Sequence, residues 1–178
     1  RAYDPAFAGE LAVIIDHGAR QMLEQHEDVF YYITVMNESY EQPSLQPEHH
    51  ADVIKGMYRF ARHSPENAGG RVHLLGSGAI FREVIAAAEL LAKDWQVASD
   101  VWSVTSFSEL AREAREVERY NRLHPTQAPR SSHVATCLAD PLPVIAATDY
   151  VAAYPQLIAG HVGNRFVALG TDGFGRSD

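Results

Sequence analysis

The stretch from Arg71 to Phe107 constrains the fold of this chain more than any other part of its sequence. An apolar run at residues 71–75 ends in the glycines Gly76 and Gly78, which is typical of a buried strand followed by a turn. Apolar residues then recur at steps of three and four, as on one face of a helix, and the β-branched and aromatic residues 99–107 predict a second strand. Strand, helix and strand with short joints predict a βαβ unit with parallel strands and a right-handed crossover. The stretch indicates an α/β domain and leaves its function open.

Composition narrows the class of protein. The chain has 178 residues, the length of about one domain, and its 46% hydrophobic content allows a substantial core. The net charge of -8 argues against a nucleic acid or an anionic membrane as partner, because both attract clustered Lys and Arg. The single cysteine, Cys137, excludes an internal disulfide and a cysteine-based metal site, and it favours a reducing, cytoplasmic setting. No apolar run approaches the about 18 residues of a transmembrane helix.

The beginning of the chain predicts one helix and one strand. Asp4 and Pro5 suit the N-cap and the first position of a helix that runs to about Glu24. Residues 28–36 are apolar almost throughout, which predicts a central strand covered on both faces. Residues 37–67 are polar and rich in proline, so they predict a boundary between two domains.

The predicted domain organisation has three parts. We place the end of one domain at residues 1–42, a linker at residues 43–55 and a second domain at residues 56–178. Residues 56–62 alternate between polar and apolar side chains, which predicts an edge strand with one wet face.

The remaining elements follow the βαβ unit. Ser106 and Glu109 form a capping-box pattern at the start of a densely charged helix, which presents either a solvated face or an interface. The later elements are strands at residues 144–147 and 165–170, with a short helix at residues 150–161 between them. The sequence stops in a turn, without the helix that normally covers such a sheet, and it begins with Arg1. We therefore expect a segment of a longer chain, and a processed N-terminus is the alternative.

A glycine-rich turn is the first candidate for chemistry. Gly76-Ser77-Gly78 lies between a strand and a helix, as dinucleotide-binding glycines do, but Phe81 stands where that pattern has its third glycine. A tight turn with a solvated helix N-terminus is therefore favoured. A small anion bound at Gly76 to Ala79 remains physically allowed.

The other candidate groups favour structural roles. Residues 48–52 contain histidine and acidic side chains, but they are adjacent and lack the helical spacing of metal ligands, so they predict a solvated loop. His73 lies inside a predicted strand and is interpreted as a packed or edge histidine. Cys137 has apolar neighbours, which raise a thiol pKa and disfavour a nucleophile. The sequence therefore offers no residue with a catalytic, cofactor-binding or metal-binding pattern.

Several long stretches, taken together, resemble one family. The chain is similar to the homodimeric pyruvate dehydrogenase decarboxylating component, from the end of its pyrimidine-binding domain into its C-terminal domain. The matching stretches occur in order and at fitting spacings along nearly the whole chain. They are residues 31–40, 74–78, 82–84, 87–94, 104–112 and 170–178.

This resemblance implies a fold and an activity. It implies a thiamine-diphosphate enzyme of the transketolase superfamily that decarboxylates pyruvate and transfers the acetyl group to lipoamide on an acetyltransferase core. It also implies a three-layer α/β/α domain with a mostly parallel five-stranded sheet and an antiparallel edge strand, preceded by the last helix and strand of the pyrimidine-binding domain. The edge strand predicted at residues 56–62 agrees with this architecture.

The resemblance transfers no active-site residue to this sequence. The family's Gly-Asp-Gly signature for the diphosphate and Mg²⁺ is absent, and the activating glutamate and the active-site histidines have no matching motif. The segment would therefore be scaffold and dimer surface, inactive when isolated and without bound cofactor. Asn37, Glu38 and Tyr40 follow a predicted strand, where ligand crevices commonly lie, so we expect them to border the substrate channel; a polar linker is the alternative.

Two rival functions stay open at this point. One is a stand-alone α/β module that binds a small anion at Gly76 to Ala79. The other is a related 2-oxoacid or transketolase-type enzyme, because only the resemblance points to pyruvate. The implied partners are a second copy of the parent chain and a lipoyl-bearing acetyltransferase core.

Overall fold

The computed structural model describes residues 1–173. Short 3₁₀ turns lie at Pro47–His49, Gly78–Ile80 and Pro155–His161, and one π-helical turn lies at Arg20–Glu24. The elements in chain order are β1 (Ala2–Tyr3), α1 (Ala8–Ala19), β2 (Tyr32–Ile33), α2 (His50–Lys55), β3 (Met57–His63), β4 (Gly70–Gly76), α3 (Phe81–Trp95), β5 (Val97–Val104), α4 (Phe107–Leu123), α5 (His133–Cys137), β6 (Val144–Val151) and β7 (Phe166–Thr171).

Five strands form the central sheet in the order β3-β5-β4-β6-β7. Strand β4 pairs in parallel with both β5 and β6, and β6 pairs in parallel with β7. The predicted βαβ unit of β4, α3 and β5 is therefore confirmed. Strand β3 lies at the edge and runs antiparallel to β5, as predicted for residues 56–62.

Helices cover the two faces of this sheet. Leu74 packs with Phe81 and Val84 of α3, whereas its neighbour Leu75 packs with Leu110 of α4, because successive side chains of a strand point to opposite faces. The 3₁₀ helix Pro155–His161 joins α4 and α5 on the second face. The α/β class and the five-stranded, mostly parallel sheet with an antiparallel edge strand are confirmed.

The first helix begins later than predicted, so Asp4 as its N-cap is wrong. Helix α1 starts at Ala8 with Phe7 as N-cap, and the carboxylate of Glu10 accepts hydrogen bonds from the N–H groups of Ala6 (2.6 Å) and Phe7 (3.1 Å). Asp4 lies before the helix, and its own N–H donates to the carbonyl of Thr105 at 2.7 Å. The beginning of the chain is thereby attached to the central sheet.

The central strand predicted at residues 28–36 is also wrong. The strand there is β2, which spans only Tyr32–Ile33 and pairs with β1. Phe30 is 77% exposed and Val35 is 72% exposed. Within residues 1–173, β2 pairs with β1 through two residue pairs only, Ala2 with Tyr32 and Tyr3 with Ile33. The apolar run therefore does not lie in the middle of a larger sheet.

Two further segments differ from the sequence prediction. Residues 47–55, inside the predicted linker, form the 3₁₀ turn Pro47–His49 and helix α2, which ends at Gly56 in a left-handed conformation. Strand β6 continues to Val151, so the helix predicted from Tyr150 begins at Pro155 and is a 3₁₀ helix. The last matching residues, 174–178, lie outside the described part of the chain.

The charged helix α4 begins as its capping pattern predicts. The hydroxyl of Ser106 accepts a hydrogen bond from the N–H of Glu109 at 3.1 Å. The Glu109 carboxylate does not complete the reciprocal bond; it pairs with Arg1 at 2.8 Å and with Arg112. Among residues 1–173, none of the helices has both the length and the apolar character needed to cross a bilayer.

Candidate functional site

A crevice lies at the carboxyl ends of β4 and β6, which are neighbours in the sheet. The chain leaves β4 for α3 on one face and leaves β6 for the 3₁₀ helix Pro155–His161 on the other. Connections that diverge in this way open a gap between two parallel strands, where ligands commonly bind in α/β sheets. This crevice is the candidate site that the topology selects.

The crevice contains Asp4 of the N-terminal segment. The Asp4 carbonyl accepts a hydrogen bond from the N–H of Gly78 at 3.0 Å, and its carboxylate accepts one from the hydroxyl of Thr34. Oδ2 of Asp4 is buried and has no hydrogen-bond partner in the described structure. Burial raises the pKa of Asp4, and the nearby hydroxyls of Thr34 and Ser77 offset part of the rise.

Asp4 also explains why residue 78 is glycine. Gly78 has φ +49°, and a Cβ at this position would lie only 2.5 Å from Oδ1 of Asp4. The acidic side chain therefore packs directly against the turn where the sequence allows a bound anion. A carboxylate there disfavours a second negative charge in the same place.

A pocket of about 260 Å³ lies beside Asp4. Its walls include Tyr32, Thr34, Tyr150, Val151 and Tyr154 together with Asp4, and we call it the tyrosine pocket. The rings of Tyr150 and Tyr154 are 5.8 Å apart between centroids, with their planes at 74°. The sequence did not reveal this pocket because its residues come from the two ends of the chain.

Asn37, Glu38 and Tyr40 lie outside the tyrosine pocket, and Glu38 and Tyr40 contact Arg82 in the first turn of α3. Asn37 and Glu38 are exposed, and Glu38 forms an ion pair with Arg82. The guanidinium of Arg82 lies 4.4 Å above the ring centre of Tyr40, whose hydroxyl donates to the carbonyl of Ala6. Glu38 and Tyr40 therefore belong to a contact between the two parts of the chain. The place of Asn37, Glu38 and Tyr40 at a substrate channel stays a prediction.

Substitution of Arg82 by methionine is expected to release residues 36–42 from α3. The change keeps the aliphatic stem and removes both the ion pair and the contact with the Tyr40 ring, which together contribute about 1 kcal/mol at this half-exposed position. Cleavage by chymotrypsin after Tyr40 should accelerate about fivefold. The control is Arg20→Met, which removes an exposed pair with Asp16 elsewhere. Equal cleavage rates in the two variants would contradict this contact.

A second buried carboxylate, Glu10, joins α1 to the sheet. Glu10 is 0% exposed, and its Oε1 accepts hydrogen bonds from the hydroxyls of Ser103 (2.6 Å) and Tyr58 (2.9 Å). Burial raises the pKa of Glu10, and its hydrogen bonds with Ser103, Phe7, Tyr58 and Ala6 offset part of that rise. Sequence reasoning missed this residue, although a glutamate at the third position of a helix is itself a capping signal.

His73 and Cys137 have the structural roles that the sequence predicted, whereas the solvated loop predicted at residues 48–52 is wrong, because these residues lie in the 3₁₀ turn Pro47–His49 and in α2. His73 is buried in β4, and the indole N–H of Trp102 donates to its Nδ1 at 3.2 Å, which confirms a packed histidine. Burial lowers the pKa of His73, and burial raises the pKa of the Cys137 thiol to about 11. A thiol with that pKa is mostly protonated at neutral pH, so it is a poor nucleophile.

Comparison with known families decides what this fold is. The family described as "Transketolase-like TK C-terminal domain" matches residues 56–178. The chain belongs to this family. The family described as "Pyruvate dehydrogenase E1 component middle domain" matches residues 1–43, so two families match consecutive parts of the chain.

Three curated relatives of this transketolase-like chain share one name. It is 56% identical over 178 residues to the pyruvate dehydrogenase E1 component of Cupriavidus necator, covering 99% of this chain and 20% of the relative. It is 53% identical over 180 residues to that of Pseudomonas aeruginosa, covering 100% and 20%, and 46% identical over 179 residues to that of Escherichia coli K12, covering 99% and 20%. The chain therefore spans about a fifth of the length of these relatives.

The described residues of this transketolase-like chain do not fit a diphosphate with Mg²⁺ at the glycine turn. The carboxylate of Asp4 fills the space against Gly78, and a diphosphate there would add negative charge beside it. Residues 1–173 also contain no group of three His, Cys, Asp or Glu side chains arranged to hold one metal ion.

Proposed function

We propose that this chain forms part of a pyruvate dehydrogenase E1 component, which decarboxylates pyruvate with thiamine diphosphate and transfers the acetyl group to lipoamide. The observation that carries the proposal is the order of the two family matches, a pyruvate dehydrogenase E1 middle domain at residues 1–43 followed by a transketolase-like C-terminal domain at residues 56–178. The identity of 56% to a protein of that name supports the same conclusion.

Within that enzyme, we assign this part a structural role. Asp4 and Glu10, from the first family match, are buried against elements of the second match, and Arg82 joins the two parts at the surface. Such contacts are suited to fixing one domain against the next. This part would be scaffold and dimer surface, inactive and free of cofactor when isolated, with Asn37, Glu38 and Tyr40 at the border of the substrate channel.

The wider assignments follow from the same proposal. They are thiamine diphosphate and Mg²⁺ as cofactors of the parent enzyme, a homodimer of the parent chain, a lipoyl-bearing acetyltransferase core as partner, and a cytoplasmic location. The single cysteine and the net charge of -8 support this location and argue against nucleic acid and membrane partners. The boundaries at residues 1–42, 43–55 and 56–178 belong to this proposal.

The function is tested on the full-length protein and on this chain alone. The full-length protein should reduce an artificial electron acceptor with pyruvate, thiamine diphosphate and Mg²⁺, and it should do so more slowly with a larger 2-oxoacid. This chain alone should show no heat of binding to thiamine diphosphate and no turnover. A preference for another 2-oxoacid would contradict the substrate, whereas binding and turnover by this chain alone would contradict its structural role.

The channel border is tested separately in the full-length protein. Asn37→Ala is expected to raise KM for pyruvate, because it removes a polar side chain from the proposed border of the channel. The fold should be unaffected, because Asn37 is exposed. The control is Ser39→Ala, because Ser39 is also exposed and lies two residues further along the chain. An unchanged KM and turnover for Asn37→Ala would contradict a position at the channel.

A further inference from the structure

The tyrosine pocket has properties that the proposed function leaves unexplained. It lies at the carboxyl end of β6, and its volume of about 260 Å³ is slightly below the roughly 300 Å³ at which ligand pockets begin, so it suits only a small molecule. The exposed surface of its walls is almost entirely apolar. Tyr150 and Tyr32 are partly open to solvent in the described residues.

The aromatic rings provide two walls of different orientation. Tyr150 and Tyr154 stand nearly perpendicular to each other, and Phe107 contacts the Tyr154 ring edge-on at 5.5 Å between centroids. Tyr32 on β2 contributes a further ring to the lining. The face of an aromatic ring carries partial negative charge, so rings at different angles around one space attract a cation placed between them.

The charged residues around the pocket are acidic. Asp4 forms part of its wall, and Asp149 is adjacent to Tyr150 in the sequence. Burial is the main cause that raises the pKa of Tyr150, and the nearby carboxylates of Asp4 and Asp149 raise it further. None of the described residues that line the pocket is Lys, Arg or His. This environment favours a positively charged ligand.

We propose that the tyrosine pocket binds a small free molecule that carries a quaternary ammonium group. A primary ammonium has N–H groups that need acceptor oxygens, and the pocket walls expose few of them. A quaternary ammonium has no N–H group and presents methyl groups to the rings, so it satisfies both the charge and the apolar walls. This inference goes beyond the proposed function and does not depend on it.

The decisive comparison uses choline and its neutral carbon isostere, 3,3-dimethyl-1-butanol, in calorimetric titration of the full-length protein. The two molecules have the same shape and differ in charge. Choline should bind about tenfold more tightly than the isostere, because only the cation is attracted by the ring faces and the carboxylates. Equal affinities, or no binding of choline, would overturn the proposal.

Variants locate the binding. Tyr150→Leu keeps an apolar wall and removes a ring face, so it should weaken choline binding about fivefold. The control is Tyr120→Leu, since Tyr120 on α4 stacks on His124 outside the pocket and its loss should leave choline affinity unchanged. If Tyr150→Leu does not fold, Tyr32→Leu replaces it in the same titration, because Tyr32 is more exposed and its loss should disturb the fold less. Unchanged choline affinity in the folded pocket variant would overturn the site.

Discussion

Replacing Glu10 with alanine is expected to lower the free energy of unfolding by about 3–5 kcal/mol. The carboxylate accepts hydrogen bonds from two backbone N–H groups, of Ala6 and Phe7, and from the hydroxyls of Tyr58 and Ser103. Alanine leaves these buried donors without an acceptor and opens a cavity at the junction of α1, β3 and β5. Urea unfolding followed by tryptophan fluorescence measures the loss.

The conservative variant Glu10→Gln separates charge from packing. Burial raises the pKa of Glu10 in the folded protein above its ordinary value, so between the two pKa values the folded protein binds more protons than the unfolded protein. This group therefore makes stability fall as pH rises through that interval. The glutamine of Glu10→Gln does not titrate. The stability of this variant relative to the wild type should therefore increase as pH rises. Parallel stability profiles would contradict a raised pKa.

Replacing Gly56 with alanine is expected to lower the free energy of unfolding by about 3 kcal/mol. Gly56 ends α2 with φ +114°, a conformation that side chains rarely adopt, and its Cβ would lie 2.6 Å from the backbone carbonyl oxygen of Ser106. Backbone cannot move aside as a flexible side chain can, so either α2 or the start of α4 must shift. Thermal unfolding by circular dichroism measures this loss.

The control for Gly56→Ala is Gly69→Ala. Gly69 precedes β4 and has no positive φ, and a Cβ added to it would meet no atom of the described residues within 4 Å. Its substitution should change stability by less than about 0.5 kcal/mol. Similar losses in both variants would mean that glycine flexibility in general, and not the close approach at Gly56, explains the effect.

Local sequence patterns were enough to predict those elements that pack against their neighbours in the sequence. The structure confirms three such elements, which pack on one another. They are the apolar run before Gly76, the apolar stripe of α3 and the β-branched run of β5. The run at residues 28–36 was equally apolar, but strand formation depends on a neighbouring strand, and β1 offers only two residues. Helix α2 was missed although Lys55 and Gly56 are a typical helix end.

The candidate site was harder to predict than the fold. The Gly76 to Gly78 turn was found from its glycines, yet the group packed against it, Asp4, is far away in the sequence and was interpreted as a helix cap. The rings of the tyrosine pocket come from β2, from the end of β6 and from the segment that follows it. No spacing rule connects residues that only the tertiary fold brings together. The contact of Glu38 and Tyr40 with Arg82 was hidden for the same reason.

The attachment of the N-terminal segment to the sheet has a consequence for synthesis on the ribosome. Glu10 bonds Ser103 across 93 positions, and Arg1 bonds Glu109 across 108. A ribosome adds about 5–20 residues per second, so the first turn of α1 waits roughly 5–20 s before its partners are made. Ile14 packs with Val53 and Tyr58, and Phe7 packs with Phe81, so these side chains remain in contact with water until those later residues have been made. The nascent chain therefore exposes an apolar helix face that a chaperone can bind until α2, β3 and the start of α3 have been synthesised.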